Sequence, residues 1–171
     1  MRHRDEEWVD VVDDDDRVVD RATRAEMRRR NLPHRAVYVF VRNSRGELFV
    51  HRRTLTKDIY PGYCDVSVGG VVAAGEDYDA AAARELAEEL GVRDAPLIRL
   101  GATRYADERT RVLGVVYLAH QDGPFALQAA EIASGGFVTI DEAERMTREE
   151  RCCPDGVAIL RAYGAALRAE S

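Results

Sequence analysis

The amino-acid sequence predicts a single α/β domain, and three observations support this. The chain of 171 residues is long enough for one domain with its own core, and it contains no internal repeat or long linker. Short apolar segments with strand composition alternate with segments whose apolar residues recur at helical spacing. A glycine, Gly91, follows the clearest helical segment, as glycine does where helices end. We expect residues 1–33 to form an N-terminal β-hairpin and short helix, and residues 34–171 to form the core.

The N-terminal segment has the pattern of a hairpin followed by a helix. Residues 8–12 and 17–22 have strand composition and flank four consecutive aspartates at 13–16. A Ca²⁺ loop of the EF-hand type needs spaced ligands, a glycine and a distal glutamate, so the aspartates favour a solvated turn. Residues 23–31 predict a short basic helix that ends before Pro33.

In the rest of the chain the residue patterns predict five further strands and two helices. Residues 54–75 are rich in Gly, Pro, Tyr and Asp and are expected to form a loop interrupted by a short strand. Helices are predicted from the alanine-rich and amphipathic patterns at residues 78–90 and 154–169. Strands are predicted at residues 35–42, 48–53, 98–104, 112–120 and 136–140.

Charge and composition exclude several classes of function. The net charge of −6 argues against a general nucleic-acid binder, which would present a basic face. No apolar run approaches the length of a membrane span, and the charged N-terminus lacks the apolar region of a signal peptide. The three cysteines include an adjacent pair and do not suggest a disulfide framework. We therefore expect a cytoplasmic protein without a nucleic-acid or membrane partner.

Three glutamates carry the clearest chemical signal. On the predicted helix, Glu85, Glu88 and Glu89 stand at i, i+3 and i+4, so their carboxylates share one face. Carboxylates placed so closely repel one another, whereas a hard divalent cation converts the repulsion into coordination. Gly70 lies upstream and allows a backbone carbonyl to approach such a cation closely. Taken without the surrounding sequence, the three glutamates could instead form a charged helix face that is exposed to solvent and binds no metal.

The surrounding sequence, GVVAAGEDYDAAAARELAEELGV from residue 70, resembles the Nudix box without a departure. The box specifies glycine, a glutamate after five residues, and Arg-Glu-U-x-Glu-Glu-x-Gly-U after seven more, where U is aliphatic. The matching positions are Gly70, Glu76, Arg84, Glu85, Leu86, Glu88, Glu89, Gly91 and Val92. The resemblance implies an α/β/α sandwich with a mixed β-sheet, and hydrolysis of a diphosphate linked to another group.

The resemblance also assigns roles to these residues. It implies that Mg²⁺, with Mn²⁺ as a substitute, is held by Glu85, Glu88 and Glu89 and by the Gly70 carbonyl. Arg84 and Glu76 would orient the carboxylates through an ion pair. Family members often add a general base from a loop outside the box. The first candidate here is Glu131, expected six residues before a strand near Phe137, and the second is Asp107 or Glu108. Homodimers are common in the family, so a homodimer is possible.

Residues 34–63 resemble the corresponding stretch of type 1 isopentenyl-diphosphate isomerases, which share the Nudix fold. In that family an RRxLxK segment grips the diphosphate, and here it predicts Arg52, Arg53 and Lys57 as substrate-binding residues. The isomerase machinery does not match. Gly69, Gly70 and Val71 stand where the isomerase has its catalytic Cys-Gly-His, and arginines stand at the positions assigned to its later glutamates.

The sequence therefore favours a hydrolase that acts on a small phosphorylated substrate. The leading substrate class is a nucleoside di- or triphosphate, or a nucleoside diphosphate linked to another group. An isopentenyl-diphosphate isomerase-like enzyme and a non-catalytic Nudix-fold binding module are the alternatives, and the complete set of box glutamates argues against the second. Three tyrosines in the loops, Tyr60, Tyr63 and Tyr105, are candidates for stacking on a nucleobase or for packing, and His51 faces either solvent or ligand.

Overall fold

The computed structural model describes residues 4–169. Within that range it contains a 3₁₀ turn at Arg4–Glu6, nine strands and four helices. The strands are β1 (Trp8–Val12), β2 (Val18–Thr23), β3 (Pro33–Arg42), β4 (Leu48–Arg53), β5 (Cys64–Asp65), β6 (Val68–Val71), β7 (Ile98–Ala106), β8 (Arg111–His120) and β9 (Ile132–Val138). The helices are α1 (Arg24–Arg30), α2 (Tyr78–Leu90), α3 (Ile140–Glu149) and α4 (Pro154–Ala169). None of these helices is long and apolar enough to span a bilayer.

The nine strands form one mixed sheet built around β3. Strand β3 runs parallel to β8 along its whole length, from the pair Pro33 and Arg111 to the pair Arg42 and His120. It is antiparallel to β1, β4 and β6. Strand β4 pairs antiparallel with β5 and β9, and β7 pairs antiparallel with β8. The expected mixed sheet is therefore confirmed.

Alternate residues of β3 face two separate cores. Tyr38 and Phe40 pack with buried residues of α3 and α4, whereas Val37 and Val39 pack with buried residues of α2. Successive strand residues point to opposite faces of a sheet, so an almost continuous apolar strand can bury both faces. Helices therefore cover the sheet on both sides, which confirms the α/β/α sandwich.

The N-terminal hairpin is confirmed, and its turn is held by the chain itself. The Asp13 carboxylate accepts hydrogen bonds from the backbone N–H groups of Asp15 and Arg17, both at 2.9 Å. Arg35 Nε donates to Asp16 Oδ1 at 2.7 Å. The aspartates thus cap a turn and pair with an arginine, as expected for a turn rather than a Ca²⁺ loop.

Helix α2 has the predicted bounds, because both of its ends are specified locally. The Asp77 side chain caps the first turn by accepting a hydrogen bond from Ala80 N at 2.7 Å. Gly91 ends the helix in the left-handed conformation with φ 71°, and its N–H donates to Ala87 O. Leu86 and Leu90 are buried on the face that meets the sheet.

The prediction for residues 132–150 is wrong in two respects. The strand expected at residues 136–140 is β9, which ends at Val138, and helix α3 was not predicted. Thr139 caps α3 by accepting a hydrogen bond from Glu142 N at 3.1 Å. Thr139 and Glu142 have the spacing of a capping box, which is a helix-start signal. Because β9 begins at Ile132, Glu131 directly precedes the strand instead of lying six residues before it.

We predict that Leu86→Ala lowers the free energy of unfolding by about 2–5 kcal/mol, because Leu86 is only 1% exposed and truncation leaves a cavity. Leu55→Ala is the matched control, since Leu55 is 84% exposed, and it should change stability by less than about 0.5 kcal/mol. Urea denaturation of both variants measures the difference. Equal effects would contradict the packing of α2 described here.

Candidate active site

Strand β6 brings the backbone of Gly70 against a carboxylate of α2. A Cβ atom at Gly70 would lie 2.7 Å from Glu85 Oε1, which is closer than real Cβ contacts allow. Only a residue without a side chain leaves this approach open. The Gly70 backbone and the Glu85 carboxylate therefore line one narrow space.

Arg84 organises the acidic face of α2. Its Nε and Nη2 donate to the two Glu76 oxygens at 2.8 and 2.9 Å, a bidentate contact. Its Nη1 donates to Glu85 at 2.8 Å and reaches Glu88 at 3.4 Å. A single guanidinium thus fixes the rotamers of two carboxylates on the helix and is itself fixed by a third from the preceding loop.

Two of the three helix glutamates are buried. Glu85 is 5% exposed and Glu89 is 3% exposed, whereas the Glu88 side chain is 44% exposed. Burial raises the pKa of Glu85, and Arg84 partly offsets that effect. Burial and the neighbouring Glu85 carboxylate raise the pKa of Glu89 well above its ordinary value. Charge at these positions is costly unless a cation shares the space.

The donor set fits a hard divalent cation. Within residues 4–169 no three Asp, Glu, His or Cys side chains lie close enough together to hold a metal ion. On α2, Glu85 and Glu88 instead form ion pairs with Arg84. Glu89 differs, because its buried carboxylate makes no hydrogen bond or ion pair within the described residues. Two buried carboxylates one helical turn apart match the oxygen ligands that Mg²⁺ and Mn²⁺ prefer.

Glu131 lies beside this acidic face and is itself buried. Its carboxylate receives ion pairs from Lys57 Nζ and from Arg4 in the N-terminal turn. Glu131 also contributes to the raised pKa of Glu89, after the larger effects of burial and Glu85. The structure therefore brings Glu131 and Lys57 to the edge of the site predicted from the box.

A cavity of about 60 Å³ lies beside Gly70. Arg53 and Lys57 line it, whereas Arg52 does not. Since Arg52 and Arg53 are consecutive on β4, their side chains leave opposite faces of the sheet. Arg52 instead donates to Glu150 at 2.7 Å and to the Gly62 carbonyl at 3.1 Å. The structure thus brings together Arg53 and Lys57 and separates Arg52 from them.

Arg53 lacks a hydrogen-bond partner at one of its donors. Its Nη1 lies 3.5 Å from Asp65 Oδ2, and its Nη2 donates to the Ile59 carbonyl at 3.1 Å. Its Nε is buried and has no hydrogen-bond partner among residues 4–169. A buried guanidinium N–H left unpaired is costly unless water or a ligand completes the hydrogen bond.

Helix α1 contributes two side chains to the cavity that the sequence did not identify. Arg24 and Arg28 stand at i and i+4 and share Asp58, at 3.3 Å for Arg24 and 2.9 Å for Arg28. Although burial opposes the shift, Arg28 and Arg24 lower the pKa of Asp58 well below its usual range. The basic composition of residues 23–31 was the available signal, but only the fold shows which arginines face inward.

His34 also lines the cavity and is neutral at physiological pH. Its Nδ1 donates to the Leu32 carbonyl at 2.9 Å. Burial, followed by the charge of Arg28, lowers the pKa of His34 to about 3. The imidazole therefore adds no charge to the cavity wall.

The weaker candidates from the sequence have other partners. Asp107 accepts hydrogen bonds from the hydroxyls of Tyr60 and Tyr105, while Glu108 is exposed. The Tyr60 and Tyr63 rings lie 5.6 Å apart, and Tyr60 is buried, so these rings pack against each other.

His51 and the three cysteines are likewise buried. The His51 ring stacks on Phe49 with centroids 6.2 Å apart. Cys64, Cys152 and Cys153 are free thiols, as the sequence suggested.

Comparisons with known proteins identify the family. A model of the NUDIX domain matches residues 32–153. The chain is 43% identical to a Nudix hydrolase of Pseudomonas aeruginosa, over 95% of this chain and 98% of that one. It is 38% identical to the Nudix hydrolase YfcD of Escherichia coli, over 90% of this chain and 84% of that one. The crystal structure of DR0079 from Deinococcus radiodurans matches with a TM-score of 0.80 and 28% identity, covering 91% and 98% of the two chains. The chain therefore belongs to the Nudix family, as a homologue of Nudix hydrolases.

Proposed function

We propose that this protein hydrolyses a phosphoanhydride bond with Mg²⁺, or Mn²⁺ in its place. The substrate is a nucleoside di- or triphosphate, or a nucleoside diphosphate linked to another group. One observation carries the proposal: Gly70 lines a cavity together with Arg53 and Lys57, and its backbone also lies against the buried Glu85 carboxylate of α2. Glu89, one turn further along α2, is buried and feels the charge of Lys57. Acidic groups for a cation and basic groups for a diphosphate therefore meet at Gly70.

The side chains divide the work between metal and substrate. Glu85, Glu88 and Glu89, with the Gly70 carbonyl, would hold the cation. Arg84 and Glu76 keep Glu85 and Glu88 in position through the ion pairs around the guanidinium. When bound, the cation supplies neutralisation of the phosphoryl charge and activation of the attacking water. Arg53 and Lys57 orient the diphosphate for in-line attack, Arg53 through its charge and its Nε–H donor and Lys57 as a point charge.

Glu131 is our candidate for the general base. It borders Glu89 and is held by Lys57 and Arg4. A phosphate that draws Lys57 into its own contacts removes one of these cations and leaves a Glu131 oxygen free to accept a proton. Asp107 is the weaker candidate, because two hydroxyls and two backbone N–H groups already occupy its carboxylate.

The isomerase-like branch receives less support than the hydrolase. The thiol nearest in sequence, Cys64, is buried beside Cys152 and does not line the cavity. Incubation with isopentenyl diphosphate tests this branch, and formation of the allylic isomer would establish it. A non-catalytic binding module would bind a ligand without turnover under both Mg²⁺ and Mn²⁺. The cytoplasmic location and the homodimer suggested by the sequence remain predictions.

A panel of nucleotide substrates with Mg²⁺ tests the proposed reaction directly. We expect release of phosphate or pyrophosphate that depends on the added metal and stops with EDTA. Separate detection of the two products identifies the bond that is cleaved. Absence of release from every nucleotide, with either metal, would contradict the proposal.

We predict that Glu89→Gln lowers kcat by about 10²- to 10³-fold, the loss found when one group that stabilises transition-state charge is removed, because Glu89 is a proposed ligand of the cation that neutralises this charge. The variant stays folded, because the raised pKa of Glu89 means that folding disfavours its ionised form near neutral pH. Without metal its Tm at pH 7 should equal or exceed that of the wild type. Glu149→Gln, on the exposed side of α3, is the control with unchanged kinetics. Wild-type turnover in Glu89→Gln would remove this residue from the mechanism.

We predict that Arg53→Met raises KM more than it lowers kcat, because a contact to the bound diphosphate is made in both ground and transition states. The loss in kcat/KM should be about 10- to 100-fold, as for a hydrogen bond to a charged group. Arg45→Met is the control, since the Arg45 side chain is 71% exposed and pairs only with Glu47 within the described residues. Steady-state kinetics would contradict the assignment if both variants matched the wild type.

A further inference from the structure

The cavity beside Gly70 is lined by more cationic side chains than the predicted diphosphate-binding residues, Arg53 and Lys57. Four cationic side chains line it: Arg24, Arg28, Arg53 and Lys57. We call this space the cationic cavity. Two of the four come from α1, which lies entirely before the residues matched to the NUDIX domain.

Three aspartates, Asp58, Asp65 and Asp155, line the cationic cavity beside the four cationic side chains, so the described lining carries one more positive than negative group. Arg24 and Arg28 share the single carboxylate of Asp58, and the next acidic group near Arg24 is Glu7 at 3.9 Å. Burial raises the pKa of Asp65 to about 6, although Arg53 opposes the shift, so this carboxyl carries less than a full charge in mildly acidic solution. The positive surplus lies on the α1 side.

The size of the cationic cavity restricts its occupant. Its volume is about 60 Å³, which is about twice the 30 Å³ that one water molecule takes in the liquid. That is room for a tetrahedral oxyanion, whereas pockets for larger ligands measure about 300 Å³ or more. The buried Nε of Arg53 supplies an N–H donor that no group in the described part of the chain accepts. Size, charge and this free donor all match one phosphate group.

We propose that the cationic cavity binds the free terminal phosphate of the substrate, with Arg24 and Arg28 as specificity-determining residues. The proposal rests on the proposed function and adds the substrate class: a nucleotide whose terminal phosphate is uncapped. The base and sugar lie outside the cavity, which is too small to hold them. Substrates that carry a sugar or second nucleoside on the terminal phosphate fill the cavity poorly.

Calorimetric titration of the full chain with inorganic phosphate in EDTA tests the binding site without metal or turnover. Arg28→Met should weaken phosphate binding about 10- to 100-fold, as for the loss of a hydrogen bond to a charged group. Arg29→Met is the matched control on the same helix, because its side chain is 75% exposed, and it should bind as the wild type does. Equal binding by all three proteins would overturn the proposal.

Asp58→Asn separates a binding role from a structural one. The substitution removes the anion that competes for Arg24 and Arg28, so phosphate should bind more tightly than to the wild type. If the arginines only hold Asp58 in place, the variant would bind phosphate no better, and that result would overturn the proposal. Thermal denaturation of each variant confirms that the measured protein is folded.

Kinetics with two substrate classes identify the source of the phosphate. Arg28→Met should raise KM for a nucleoside diphosphate with a free end and leave KM for a nucleotide sugar nearly unchanged. An equal rise for both would contradict the assignment to the terminal phosphate. Failure of the proposed function appears separately, as phosphate binding in EDTA without hydrolysis of any nucleotide.

Discussion

The burial of two adjacent carboxylates on α2 is the constraint on which the rest of the site depends. Glu85 and Glu89 lie one helical turn apart and are nearly inaccessible to solvent. Burying a charged group is expensive unless an opposite charge accompanies it. Arg84 forms an ion pair with Glu85, whereas Glu89 has no ion-pair partner within the described residues. The fold therefore keeps a local excess of negative charge that a divalent cation would relieve.

The neighbouring features can be understood from this excess. Gly70 leaves the space open on one side, and Glu76 anchors Arg84 on the other. Beyond Gly70 the sign of the charge reverses, because β4, the following loop and α1 contribute arginines and a lysine to the cavity. A substrate with a phosphoanhydride needs both halves: a cation at the reacting phosphorus and basic groups around its oxygens. The N-terminal hairpin matters here because it places α1 against the core.

Much of the fold and the acidic half of the site were predictable from sequence, because local signals specify them. The bounds of α2 follow from Asp77 and Gly91, and the shared face of its glutamates follows from helical spacing alone. The basic half depends on tertiary structure. The local sequence does not show that Arg53 faces the cavity and Arg52 does not, because this depends on which face of the sheet is covered. Likewise, only the packing of α1 on the core distinguishes the inward Arg28 from the exposed Arg29. Helix α3 was overlooked because its capping box follows a glycine-containing strand directly.

A titration of the metal-free protein with Mn²⁺, monitored by electron paramagnetic resonance, tests most directly whether the buried carboxylates bind a cation. Mn²⁺ takes the place of Mg²⁺ in this measurement. The signal of free Mn²⁺ reports the unbound ion, so the measurement needs neither substrate nor turnover. We expect saturable binding to the wild type, which Glu89→Gln weakens strongly and Glu149→Gln leaves unchanged. Binding of equal affinity by Glu89→Gln and the wild type would contradict the claim that the buried carboxylates of α2 form the cation site.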